Sequence, residues 1–160
     1  MTMLNPAEER VRRILIERAK KTDPQSPRQA LITYGDLCGA ADPDQAYWRG
    51  PRYRGIGSAL GHVSTYEHEH GRPLLSGLVV QKMTMRAGDG FAADLGRGLG
   101  FDIPPGGESR FWVEEVEKIV RYWTGPGKDA AVSDPVGEAR ARLTAVMSEL
   151  DSIRRLLDTA

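Results

Sequence analysis

The chain has 160 residues, 40% hydrophobic and 28% charged, with 22 Lys plus Arg against 22 Asp plus Glu. That length suits one domain with a core plus an appendage, and the zero net charge excludes a globally basic nucleic-acid binder, so any such site must be a local patch. The single cysteine, Cys38, excludes an internal disulfide and fits a reducing compartment. A polar start without an apolar leader, and no run of membrane-spanning length, predict a cytoplasmic protein without a membrane partner.

Asn5-Pro6-Ala7-Glu8-Glu9 reads as a helix start: a capping side chain, a proline for the first turn, and acids at the positive end of the helix dipole. The helix should run to about Lys21 on a face of Val11, Ile14, Leu15 and Arg18 or Ala19, before Asp23-Pro24 breaks it. Thr33 is a good N-cap for a short helix through about Cys38. A loop over 39–50 leads to a helix from about Pro51 to Glu69, carrying Ile56, Leu60 and Val63 inward. Gly55 and Gly57 weaken that helix by roughly 1 kcal/mol each, which suits close approach to another body.

Leu74 to Met85 is the best strand candidate, on the strength of Leu78-Val79-Val80. A glycine turn at 86–90 precedes a short helix from Phe91 to Leu99, and Glu108 to Trp123 forms a further helix. In the latter, Phe111 or Trp112, Val116, Ile119, Val120 and Trp123 face inward. The stretch 125–135 reads as a linker. Beyond it Val136, Ala139, Leu143, Val146, Leu150, Ile153 and Leu157 alternate spacings of three and four, a heptad pattern with largely charged positions between. The expected organisation is a globular domain over 1–124, a linker over 125–135 and a C-terminal heptad helix over 136–160. The seam of that helix, Leu143, Val146, Leu150, Ile153 and Leu157, is a candidate for a homodimer or a partner protein; packing on its own domain is the plainer alternative.

Arg49, Arg52 and Arg54 form a basic cluster interleaved with Tyr47, Trp48 and Tyr53, a mixture that suits nucleic acid. The competing reading is a solvated helix start whose aromatics cover the edge of the core. Around it, Thr33-Tyr34-Gly35-Asp36-Leu37 and Arg54-Gly55-Ile56-Gly57-Ser58-Ala59 together resemble the DNA-binding half of methylguanine-DNA alkyltransferases and alkyltransferase-like proteins. The resemblance spans roughly residues 30 to 100, more weakly beyond Arg72. It implies a winged helix-turn-helix whose recognition helix enters the minor groove. It also implies Arg54 in the space of a flipped nucleotide and Tyr34 beside the backbone there. The family's reactive cysteine would fall on Leu74 and its activating histidine on Leu75. The resemblance therefore implies no alkyl transfer, and Leu74 also departs from the tryptophan common in the alkyltransferase-like proteins.

Other chemistry is thinner. His62, His68 and His70 with Glu67 and Glu69 offer metal-ligand types, but on a helix His68 and His70 point to different sides, which favours an ordinary helix end. No Gly-x-Ser-x-Gly elbow is present, and Lys82 lacks the acidic neighbours of a nuclease strand. The sequence thus predicts a mainly α protein with a small β element: a winged helix-turn-helix-like domain plus a long C-terminal helix. The leading expectation is a non-catalytic DNA-binding protein using Tyr34, Arg49, Arg52, Tyr53, Arg54 and Ser58, with no catalytic residue, metal or cofactor assigned. The alternatives are a protein-interaction adaptor built on the C-terminal helix and a metal-dependent nuclease or hydrolase.

Overall fold

A computed structural model describes residues 1–50, 53–126 and 135–158. Arg52, most of the expected linker and residues 159–160 lie outside the described residues. The chain divides into two units, Met1–Lys128 and Asp129–Ala160. It is mainly α-helical with a small β element and a C-terminal helix, as the sequence predicts.

The first helix, α1, spans Pro6–Lys21. Asn5 accepts the N–H groups of Ala7 and Glu8 at 3.0 and 2.9 Å, and the Glu8 carboxylate accepts the Asn5 N–H at 2.9 Å. Donors that the helix cannot satisfy internally are thus met by a reciprocal pair of side chains. Val11, Leu15, Ile16 and Ala19 are buried on its inner face, with Ile16 taking a place the sequence reading assigned to Ile14. Helix α1 packs against α2 (Tyr34–Ala41), α3 (Ile56–Glu69) and α4 (Glu108–Thr124).

Thr33 caps α2 through the Asp36 N–H, and α2 runs beyond Cys38 to Ala41, with Asp42 at its C-cap. Helix α3 starts at Ile56, later than Pro51, for a backbone reason. Tyr53 and Gly55 have φ of 46° and 89°, left-handed values that an α-helix cannot contain. Arg54 therefore lies in the turn ahead of α3, outside the helix to which the sequence reading assigned it.

The β element is smaller than Leu74–Met85. Leu75–Leu78 forms a 3₁₀ turn and Val79–Val80 forms β2, pairing in parallel with β1 (Ile32–Thr33) in the register Ile32 to Val79 and Thr33 to Val80. Leu74, Leu75 and Leu78 are fully buried, so the apolar run that suggested a strand serves as core in a tighter conformation. Phe91–Gly96 adopts a wide π-helical turn in place of the first part of the expected α-helix. A Cβ at Gly96 would lie 2.7 Å from Ile103 Cδ1, so only glycine fits there without displacing that side chain.

Helix α4 buries Trp112, Val116, Ile119, Val120 and Trp123, while Phe111 is half-buried against Phe91 and Phe101. The three tryptophans, Trp48, Trp112 and Trp123, are all buried in the first unit. The second unit carries helix α5, Pro135–Asp158.

Candidate nucleic-acid interface

The loop before α3 is wound on one carboxylate. Asp42 accepts the N–H groups of Ala46, Tyr47 and Trp48 at 2.9, 2.9 and 2.8 Å. Desolvation pushes its pKa up, but the N–H groups of Trp48, Tyr47 and Ala46, with the Arg10 charge, outweigh that and hold it below the usual carboxylate range. The result seats Trp48 in the core, with its indole 3.6 Å from where a Cβ on Gly55 would stand. Asp42 was read from sequence only as part of a loop. The signal for its role is an Asp followed by Pro43 at a helix end, where a short side chain can bond backbone N–H groups just ahead.

That scaffold sets out the predicted basic residues. Arg49 is exposed and its Nε donates to the Gln45 carbonyl at 2.7 Å. Arg54 is exposed, and its guanidinium has no acidic partner among the described residues. The cap position of α3 is Gly55, which has no side chain to offer, and the first turn of the helix contains no acid. The Ile56 N–H is taken by the Tyr53 carbonyl at 3.1 Å, while no side chain caps Gly57 or Ser58. An uncapped helix N-terminus carries partial positive charge, and here an arginine precedes it. Ser58 is exposed on the same turn, and Tyr53 is half-buried with its hydroxyl 2.9 Å from where a Cβ on Gly35 would stand.

Beside this turn lies a cleft of about 440 Å³. Tyr34 of α2 forms one side; Gly57, Leu60 and Gly61 of α3 form another; Ser76, Val79, Gly88, Phe91, Asp94 and Leu95 complete it. A Cβ on Gly57 or Gly61 would meet nothing within 4 Å, so these glycines leave the α3 wall open toward empty space.

The polar groups of the cleft are few. Burial raises the Tyr34 pKa, only partly offset by the Gly88 N–H at its oxygen, so the phenol keeps its proton at neutral pH. The Ser76 N–H donates to Ser64 Oγ at 3.0 Å, and the Ser64 hydroxyl donates back to Ser76 Oγ at 2.7 Å. That arrangement leaves the Ser76 proton for an acceptor in the cleft. Asp94 is exposed and supplies an acceptor at the rim. The cleft therefore offers two neutral donors and one carboxylate around an apolar floor, and its volume falls in the range of small-molecule sites. Sequence reasoning singled out Tyr34, weighed Ser76 only as a serine without a nucleophile elbow, and missed Gly61 and Asp94, which come from separate segments.

The histidine cluster is dispersed. His62 Nδ1 is 2.8 Å from Glu8 Oε1, His70 Nδ1 is 2.7 Å from the Tyr66 carbonyl, and the His68 ring lies against Phe101. Glu67 is fully buried and bound by Arg12 Nε and Arg72 Nε, each at 2.5 Å, with both guanidinium groups near the Tyr66 ring. No group of three or more His, Cys, Asp or Glu side chains among the described residues is placed to share a metal ion. Cys38 is buried, and burial, with the nearby Asp42 charge, pushes its thiol up to about 11, far from the thiolate a nucleophile needs. No helix among the described residues is long and apolar enough to cross a membrane.

No family model, curated protein or solved structure matches this chain.

Proposed function

We propose that this chain binds DNA without catalysing a reaction on it, presenting Arg54 and the first turn of α3 to the phosphate backbone. The observation that carries the reading is an exposed arginine, without an acidic partner among the described residues, placed directly before an uncapped, acid-free helix N-terminus. A guanidinium and backbone N–H groups, neighbours along the chain, are the two kinds of donor that a phosphate takes. The neutral net charge fits a protein whose affinity rests on such a local patch.

The adjoining cleft gives the reading its finer form. A base turned out of the stack needs a pocket with an apolar wall and donors for its edge, and Tyr34 and Ser76 supply donors beside Leu60 and Phe91. The resemblance of residues 30–100 to alkyltransferase-like proteins points the same way, with Tyr34 and Arg54 at the positions that it marks. Alkyl transfer itself has no nucleophile to use, since Leu74 and Leu75 are fully buried hydrocarbon.

The test is fluorescence anisotropy with labelled single-stranded DNA and duplexes, one of them carrying a mismatch, across a salt series. Wild type should bind with an affinity that falls steeply as salt rises, and Arg54→Ala should weaken binding by about 1–3 kcal/mol if Arg54 reaches a base and by less at a phosphate. Binding indifferent to salt and to Arg54 would remove the reading. The adaptor alternative draws on the exposed apolar residues of α5, and salt-insensitive association of protein with protein is its mark.

A further inference from the structure

Helix α5 carries an apolar stripe. Leu143, Val146, Leu150, Ile153 and Leu157 are 62, 52, 60, 53 and 71% exposed. Their alternation of three and four assigns Leu143, Leu150 and Leu157 to one seam position and Val146 and Ile153 to the other. In heptad terms leucine occupies a and β-branched residues occupy d.

We infer that the stripe is covered by further copies of this chain, in a parallel four-stranded coiled coil. Two independent features support this. The first is side-chain shape. β-branched residues at d with leucine at a disfavour the parallel dimer and favour higher-order packing. Met147, at the neighbouring e position, is also apolar and 59% exposed, which widens the stripe as more than two strands require.

The second feature is charge. In a parallel in-register assembly each g residue faces the following e residue of its neighbour. Glu149 then faces Arg154, an attractive pair repeated around the bundle, and Arg142 faces Met147 without conflict. The antiparallel alignment that sets Leu143 beside Ile153 and Val146 beside Leu150 places Glu149 against Glu149. That contact joins like charges, so the pattern selects the parallel arrangement.

Sedimentation equilibrium of the full chain over a wide concentration range tests this. The expected result is reversible assembly whose largest species has four times the monomer mass. Glu149→Lys and Arg154→Glu should each shift the assembly midpoint by about tenfold or more to higher concentration, and the double variant should restore it. Both side chains are exposed, and tryptophan emission will verify that the first unit stays folded. A monomer at every concentration, a terminal dimer or trimer, or assembly that Glu149→Lys leaves unweakened, as the antiparallel alignment requires, would each overturn the inference. None of these outcomes bears on DNA binding, which rests on residues of the first unit.

Discussion

The two ends of α3 handle charge in opposite ways. At the C-terminal end Glu67 is sealed from water and held by Arg12 and Arg72, with Tyr66 beside both guanidinium groups. At the N-terminal end Arg54 stands in solvent before a glycine cap. A charge bound inside a core serves the fold and is costly to disturb. A charge left in water beside unmet backbone donors contributes little to the fold and is free to meet a ligand. The contrast teaches that the two arginine environments differ in commitment to the fold, and it is the uncommitted one that the proposed DNA contact uses.

The sharpest way to break the comparison is to remove Glu67. Glu67→Ala strands Arg12, whose other acidic neighbour, Glu9, is 3.9 Å away. Urea unfolding should show a loss of about 3–5 kcal/mol. A loss below 1 kcal/mol would mean that this end is no more committed to the fold than the other.

A gain is expected midway along the helix. Gly61→Ala adds a methyl group where nothing lies within 4 Å and should raise stability by about 0.5–1 kcal/mol. Gly61→Leu extends into the cleft; DNA binding that survives it unchanged would separate the cleft from the interface. Arg54→Ala should leave unfolding within about 0.5 kcal/mol of wild type, and a larger loss would assign Arg54 to the fold.

The smallest effect concerns the loop that presents Arg54. Asp42 is held below its ordinary pKa of 3.8. Its ionised form therefore favours the folded state in full above about 3.8, and that contribution is lost as pH falls through the lower folded value. In an acid titration followed by tryptophan emission, Asp42→Asn should flatten the change below pH 3.8. An unaltered titration would show that the three N–H groups are held by something other than the carboxylate.

Local chemistry was legible in the sequence. The Asn5 and Thr33 caps, the span of α4 and the repeat of α5 follow from neighbours within a turn or two. What escaped depends on residues far apart along the chain. Glu67 meets Arg12 across 55 positions, and β1 finds β2 from Ile32 to Val79. Nothing near Glu67 distinguishes it from a surface acid in a histidine-rich helix end. The start of α3 was misplaced because a left-handed Gly55 reads in sequence like a tolerated helical glycine. The cleft was invisible for the same long-range reason, since its walls come from α2, α3 and the segments 76–79 and 87–95.

The burial of all three tryptophans in the first unit makes the molecule its own two-channel instrument. Helix α5 contains no aromatic residue, so intrinsic fluorescence is blind to it, whereas far-ultraviolet circular dichroism registers its helical backbone. If assembly holds α5 together, dilution should bleed away ellipticity while the emission maximum stays still. Denaturant should then move both signals, and the gap between the two curves would report the second unit alone.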